Sequence, residues 1–126
     1  MKNRILNLLL ISIVTLFTSC NDDDNTQPEL NGEYIGVYER NGNTSNVELN
    51  FENGNFYGES NTHLFPAICN GNYSISNTII LFENECIWTA QFDWTLILNQ
   101  NWDYTLQNNI LILTKSNGDK YTLTKQ

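Results

Sequence analysis

Few side chains in this chain have the chemistry that catalysis or metal binding requires. His63 is the single histidine in 126 residues, so any histidine-based triad or metal site would have to use it. The sequence contains no serine nucleophile elbow and no phosphate-binding glycine loop. Glu83, Glu85 and Asp93 offer oxygen ligands for Ca²⁺, but their spacing fits no established calcium loop. We therefore expect neither an enzyme nor a metal or cofactor site.

The first twenty residues have the pattern of an export signal. Lys2 and Arg4 precede the largely apolar stretch Ile5 to Phe17. That stretch is shorter than the roughly 20 apolar residues that a membrane span needs, so residues 1–19 are predicted to be a cleavable signal peptide. Leu16-Phe17-Thr18-Ser19-Cys20 resembles a bacterial lipobox, which implies that Cys20 is lipidated. The alternative is an ordinary secretory signal followed by a chance cysteine.

Residues 20–30 are predicted to be the lipidated cysteine and an acidic, flexible tether. Residues 21–29 include Asp22, Asp23 and Asp24 and no apolar side chain that could be buried. An acidic run in this place also resembles the surface-export signal of Bacteroidota lipoproteins, and the alternative is a simple spacer. We expect the N-terminal lipid to anchor the protein in the bacterial cell envelope. The outer membrane is the expected location, and the cell surface if the acidic run acts as an export signal.

The charge of the chain argues against nucleic-acid partners. The full sequence has a formal charge of −8, with six basic and fourteen acidic side chains. Loss of Lys2 and Arg4 with the signal peptide would make the charge −10. Such a surface repels phosphate backbones and anionic lipid headgroups. The expected membrane contact is therefore the N-terminal lipid alone.

Residues 31–126 have the composition of a single all-β domain. Short runs rich in Thr, Tyr, Ile and Phe alternate with turn residues, and the hairpin dipeptide Asn-Gly occurs five times. This pattern predicts an antiparallel up-and-down meander of eight or nine strands. The segments are 33–39, 47–51, 56–60, 68–76, 79–83, 94–98, 102–106, 110–115 and 120–125.

Hairpin register supports this assignment. A two-residue turn at Asn53-Gly54 places Phe51 opposite Phe56, and the other predicted hairpins also keep one apolar face. An eight-stranded closure has room for side chains or one small ligand, and we expect it to be largely filled. The aromatic side chains predicted to face inward are Phe51, Phe56, Tyr73, Phe82, Trp94, Trp102 and Tyr104.

Two cysteines remain for the folded domain. A hairpin that turns at Asn77-Thr78 places Cys69 directly opposite Cys86, and an exported protein meets an oxidising compartment. We expect a Cys69–Cys86 disulfide, worth about 3 kcal/mol in the chain-entropy model. The alternative is a thiolate pair that binds metal or does redox chemistry, which lacks a CxxC spacing and a nearby histidine.

A meander sends successive loops to alternate ends of the sheet. The tight turns, including 99–101 and 116–118, are predicted to lie beside the tether, and the longer loops 40–46, 61–67 and 84–93 at the opposite end. Long loops on a rigid scaffold commonly carry binding residues. The alternative is that the two loop aromatics at 88 and 92 plug the end of the sheet as core and that the histidine is merely solvated. The predicted ligand- or partner-binding residues are Arg40, His63, Phe65, Trp88 and Phe92.

Gly32-Glu33-Tyr34 opens the first predicted strand. Together with the strand count, the hairpin order and the lipobox, it resembles small lipocalin-like envelope lipoproteins, whose first strand opens with Gly-x-Trp. The resemblance implies that eight strands close a small barrel over residues 32–126 and that a ninth packs outside it. Cys-Asn-Gly-x-Tyr at 69–73 is similar to uncharacterised envelope proteins of the same type, which implies no activity. Without this resemblance, the same strands could form an open sheet or a sandwich.

Two functions of different class follow from these expectations. The first is a membrane-anchored binding module that holds a small apolar or amphipathic ligand at the mouth of the barrel. The second is a cavity-free accessory or inhibitor-type lipoprotein whose loops bind another envelope protein or a glycan. An open interior would favour the first function, and a packed interior with exposed aromatic side chains would favour the second.

Overall fold

Eight antiparallel strands form the part of the chain that the computed structural model describes, residues 30–126. Each strand pairs with the next, and β8 pairs with β1 to close a barrel. The predicted all-β meander is therefore confirmed. The predicted signal peptide, Cys20 and tether residues up to 29 lie outside the described residues. The strands are β1 (Gly32–Arg40), β2 (Asn43–Glu52), β3 (Asn55–Ser60), β4 (Cys69–Ser76), β5 (Ile79–Asn84), β6 (Gln100–Gln107), β7 (Ile110–Thr114) and β8 (Lys120–Lys125).

The predicted hairpin registers are present. Phe51 lies opposite Phe56 across the turn between β2 and β3. Asn53 and Gly54 have φ values of 49° and 82°, as a two-residue turn with the twist of a hairpin requires. The pairings predicted for the β4–β5, β6–β7 and β7–β8 hairpins are also confirmed. Alternation within each strand therefore sends one apolar set inward.

Side chains fill the barrel interior. Rings from strands that are not direct neighbours meet edge to face, with centroid separations of 5.2 Å for both Phe56–Phe82 and Trp102–Tyr121. Such pairs add specific geometry to the burial of apolar area. The largest fully buried side chains include Trp102, Tyr34, Tyr38, Tyr121, Phe56 and Phe82. This matches the expectation of a largely filled interior.

Leu30 closes the core at the end where the described chain begins. Its side chain is fully buried, and its carbonyl accepts a hydrogen bond of 2.8 Å from the Tyr34 hydroxyl. Burial also raises the pKa of Tyr34, with a further contribution from Tyr73. The packed domain therefore includes Leu30, which the sequence pattern assigned to the tether.

The strand predicted over residues 94–98 is wrong. Trp94–Leu96 instead forms one turn of 3-10 helix, and Ile97 makes only an isolated bridge to Ala67. Asp93 caps this turn, because its side chain accepts a hydrogen bond from the Thr95 amide at 3.0 Å. The side chain of Trp94, predicted to face inward, is 56 % exposed. No helix within residues 30–126 is long and apolar enough to cross a membrane.

Because residues 94–98 do not form a strand, each later turn lies at the opposite end of the barrel from the one predicted. The turn at residues 115–119 lies opposite the chain start, rather than beside it, and the Asn108-Asn109 turn lies beside it. The predicted loop 40–46 is also wrong, because β1 and β2 extend to Arg40 and Asn43 and leave a two-residue turn. Segments 41–42, 61–68, 85–99 and 115–119 therefore share what we call the distal end. The end that contains Leu30 and the other turns is the proximal end.

Candidate functional site

The segment of residues 85–99, here called the distal loop, is the longest connection in the described fold. A disulfide joins Cys86 near its start to Cys69 at the start of β4, with the Cα atoms 6.4 Å apart. The predicted disulfide is therefore confirmed. It links the distal loop to the β3–β4 connection, so that two distal segments are held together covalently.

Asn84 anchors both ends of the distal loop. Its Nδ2 donates to the carbonyls of Ile68 and Leu98, at 2.6 and 3.2 Å. Its Oδ1 accepts from the Cys86 amide and from the Trp88 indole N–H, both at 3.1 Å. Sequence reasoning missed this residue, because nothing local distinguishes it in an asparagine-rich chain.

Arg40, a predicted site residue, connects three segments of the distal end. Its Nε donates to Asp119 Oδ1 at 2.8 Å, and its Nη2 donates to the second oxygen of the same carboxylate. Nη1 donates to Thr95 Oγ1 at 3.0 Å and to Asp93 Oδ2 at 3.3 Å, and Nη2 also donates to the Thr95 carbonyl at 2.8 Å. These contacts occupy the five N–H donors of the guanidinium. Arg40 therefore holds the distal loop against the β7–β8 turn.

The ion pair between Arg40 and Asp119 is buried. Asp119 is only 2 % exposed, and burial alone would raise the pKa of its carboxyl group. Hydrogen bonds and charge from Arg40 outweigh the burial and hold that pKa below its ordinary value, and Asn117 donates a further hydrogen bond at 3.2 Å. Asp119 therefore stays ionised at neutral pH. Sequence reasoning missed this partner because it placed the 116–118 turn at the other end.

Two buried tyrosines lie below the ion pair. The rings of Tyr38 and Tyr121 are 4.9 Å apart, and both hydroxyl oxygens are buried. Burial raises the pKa of both tyrosines, and the charge of Asp119 raises each further. Both hydroxyls are therefore neutral at neutral pH.

The three predicted aromatic site residues form two separate groups. Phe65 packs edge-on against Tyr38, with a centroid separation of 5.4 Å, and belongs to the core. Trp88 and Phe92 instead stack on each other at 5.3 Å, half-buried within the distal loop. The alternative that Trp88 and Phe92 plug the end of the sheet as core is therefore not what the structure shows, because of these three side chains only Phe65 packs against the core cluster.

His63 lies exposed in the β3–β4 connection and is outside the networks of Arg40 and Asn84. Glu83 and Glu85 are likewise exposed, and Glu85 accepts a hydrogen bond of 2.8 Å from Asn72. Among the described residues, no group of three or more His, Cys, Asp or Glu side chains is arranged to hold a metal ion.

Trp94 is the exposed aromatic residue of the distal loop that sequence reasoning missed. Its indole N–H donates to the Thr89 carbonyl at 2.9 Å, which fixes the orientation of the ring. A groove of about 240 Å³ lies beside it, lined by Trp94, Ile97, Asn99, Gln100, Lys115 and Asn117. Sequence reasoning missed this groove because the alternation of apolar residues over 94–98 predicts a strand whose Trp94 side chain faces the barrel interior.

Lys115 has a fixed position in that groove. Its ammonium group lies 4.7 Å from the centroid of the Trp102 ring and donates to the Asn99 carbonyl at 3.1 Å. Burial lowers the pKa of Lys115, although the nearby charge of Asp119 acts in the opposite direction. The groove therefore carries one partly shielded cation.

Comparisons of the chain with protein-family models, with curated proteins and with solved structures found no match. The fold and the distal end define a closed β-barrel filled by its own side chains, with one long loop that exposes Ile87 and Trp94.

Proposed function

We propose that this protein is a lipid-anchored, non-enzymatic interaction module that presents its distal loop to a macromolecule of the bacterial envelope. The observation that carries the proposal is the combination of a filled barrel and an ordered loop with exposed apolar groups. A small apolar ligand inside the barrel would have to displace rings such as Trp102 and Phe82, which are almost fully buried. We therefore favour the interaction module over the ligand carrier.

The distal loop has the properties of a preorganised binding surface. The disulfide holds the loop near its start, Asn84 is bonded to both of its ends, and Arg40 is bonded to Asp93 and Thr95 between them. Ile87 is 98 % exposed and Trp94 is 56 % exposed on this fixed backbone. A surface that is already ordered loses less conformational entropy on binding, and tryptophan is enriched among the residues that dominate binding energy. These features support recognition by the loop.

The proposed lipid anchor would set the orientation of the barrel relative to the membrane. The described chain begins with Leu30 at the proximal end, so a lipid on Cys20 and the acidic tether would attach the membrane there. The distal loop would then face away from the membrane. This part of the proposal rests on the resemblance of residues 16–20 to a lipobox.

A matched pair of variants tests the proposal. The loop variant carries Ile87→Asp and Trp94→Ala, and the control carries Tyr57→Ser, which removes an exposed aromatic ring from the barrel wall. Immobilised protein would be tested for binding to solubilised outer-membrane and polysaccharide fractions of the encoding bacterium. We expect the loop variant to lose binding by at least about tenfold, equivalent to about 1.4 kcal/mol. The control should bind like the wild type.

Two results would contradict the proposal. One is equal binding of the wild type and the loop variant, with both folded. The other is an apolar molecule that native mass spectrometry finds bound to the wild type in stoichiometric amount and that organic solvent releases. That second result would support a ligand carrier instead.

A further inference from the structure

The groove beside Trp94 continues along the barrel wall. A second groove, of about 410 Å³, extends to Ile79 and Asp103. The two grooves share Gln100, Lys115 and Asn117 as lining residues. The two grooves are therefore adjacent, and we call the surface they cover, from the exposed tryptophan to Asp103, the path.

The Trp94 ring is a fixed platform at the start of this path. Its only polar hydrogen is already donated to the Thr89 carbonyl, so its remaining means of contact is the exposed ring surface. The backbone on either side is also held, because the Trp94 carbonyl accepts from the Ile97 amide at 3.2 Å and Thr95 is bonded to Arg40. The face of an aromatic ring is electronegative and attracts the polarised C–H groups of a flat ligand.

The rest of the path offers two side-chain amides, which donate and accept hydrogen bonds, and one ammonium group, which only donates. Gln100 is exposed, and its side-chain amide makes no hydrogen bond to any other described residue. Asn117 donates through Nδ2 to the Asp119 carboxylate and accepts through Oδ1 from the Asp119 amide, which uses one of its two amide hydrogens and one of the two lone pairs on Oδ1. Lys115 uses one of three ammonium hydrogens on the Asn99 carbonyl. Such amides match hydroxyl groups, which also donate and accept.

The charges around the path favour a neutral ligand. Among the residues lining the two grooves, Asp103 is the one acid and Lys115 is the one cation, so their formal charges balance. The chain as a whole carries a formal charge of −8. A polyanion would therefore be repelled. A protein partner would be expected to meet a broader apolar centre than a single ring bordered by amides.

We infer that this path binds a neutral oligosaccharide, with one pyranose ring stacked on Trp94 and following rings over Gln100 and Asn117. The inference rests on the proposed function and names the class of partner. A pyranose ring presents C–H bonds on its face and hydroxyl groups at its edge, which is the arrangement that the tryptophan and the amides complement.

A glycan array tests this inference with the full-length protein purified in detergent. The array carries neutral hexose, deoxyhexose and N-acetylhexosamine oligomers of two to six units, with uronic-acid and sulfated oligomers as charged controls. We expect neutral oligomers to bind, and hexamers to bind more tightly than dimers. Trp94→Ala should weaken binding by at least about tenfold. Trp94→Phe should retain most of the binding, and Tyr57→Ser all of it.

Three results would overturn the inference: no neutral oligomer binds, only charged oligomers bind, or Trp94→Ala binds neutral oligomers as well as the wild type does. Binding to envelope fractions is measured on the same preparations with Ile87→Asp. If that substitution abolishes envelope binding while neutral oligomers do not bind, the glycan inference fails and the interaction module stands. If the distal-loop variants also leave envelope binding unchanged, the proposed function fails as well.

Discussion

The two ends of the barrel are closed by different means. At the proximal end, strands join through two-residue turns in which Asn53, Asn77, Asn108 and Asn109 adopt positive φ. At the distal end, the contacts that order the chain join residues far apart in sequence, such as Arg40 and Asp119, which are 79 residues apart. The proximal end is therefore specified by local turn chemistry, and the distal end by side chains that meet only in the folded state.

Backbone conformation shows the same contrast. The positive-φ residues within 30–126 that are neither Asn nor Gly are Leu64, Cys69 and Gln100, and all three lie at the distal end. Asparagine tolerates this conformation, whereas other side chains adopt it at an energetic cost. The surrounding contacts must offset that cost. The distal end thus depends on its long-range network, which the following substitutions would weaken.

Arg40→Ala should have the largest effect. It leaves the buried Asp119 carboxylate without its partner, which typically lowers the free energy of unfolding by about 3–5 kcal/mol. Urea unfolding of the variant and the wild type at neutral pH measures the difference. Asp93→Asn is the matched control, because it removes only the exposed contact of the same guanidinium and should cost less than about 1 kcal/mol. Similar losses for both variants would contradict the assigned role of the buried pair.

The same pair should make stability depend on pH in the acid range. The pKa of Asp119 is lowered in the folded state, so its stabilising contribution is present above the unfolded value of about 3.9. The contribution is lost as pH falls through the folded value. Burial raises the pKa of Asp119, and in Arg40→Ala no guanidinium counteracts this effect. The Asp119 carboxyl group should therefore protonate at a higher pH in the variant than in the wild type. The stability difference between the two proteins should therefore shrink on acidification, and a constant difference would argue against this linkage.

Replacing both disulfide cysteines by serine should have the next largest effect. Cys69 and Cys86 are 17 residues apart, and closing a loop of this length stabilises a protein by about 3 kcal/mol in the chain-entropy model. Denaturant unfolding gives the size of the loss. Hydrogen exchange should then quicken in the distal loop more than at the proximal turns. Equal acceleration of hydrogen exchange at both ends would contradict the proposed difference between the two ends.

Asn84→Ala should lower stability by about 2 kcal/mol, because four hydrogen bonds at the base of the distal loop are lost and buried carbonyls are left unpaired. Asn101→Ala, at an exposed position on β6, is the control and should change stability by less than about 0.5 kcal/mol. Thermal and urea unfolding compare the two. If both substitutions were neutral, Asn84 would not be an anchor of the loop.

Glycine-to-alanine substitutions in two tight turns should have the smallest effect. Gly54 at the proximal end and Gly42 at the distal end have φ values of 82° and 80°, with open space where a Cβ would lie. Alanine should cost about 1 kcal/mol at each, because only the backbone conformation is penalised. Matching losses in urea unfolding would show that local turns behave alike at both ends. A much larger loss at Gly42 would mean that distal turns also depend on the side-chain network.

Local sequence pattern was sufficient to predict the eight strands of the barrel wall and the register of four of their hairpins. Alternating apolar residues and the Asn-Gly turn at 53–54 specify both a strand and its register, which is why Phe51 was placed opposite Phe56. The disulfide followed from register too, because the hairpin turn at 77–78 aligns Cys69 with Cys86. These features depend on neighbours a few residues apart.

Apart from the disulfide, tertiary structure decided the arrangement of the distal end. Trp94, Leu96 and Leu98 alternate like a strand, but β6 already pairs with β5, so this segment has no free strand beside it and crosses the barrel mouth as a turn. Because successive connections alternate between ends, that one misassigned strand moved the turn at 115–119 to the wrong end. The pairing of Arg40 with Asp119 exists only once the barrel closes, since the two residues come from opposite halves of the chain. The groove at Trp94 exists only once the distal loop lies beside the β7–β8 turn, which supplies Lys115 and Asn117.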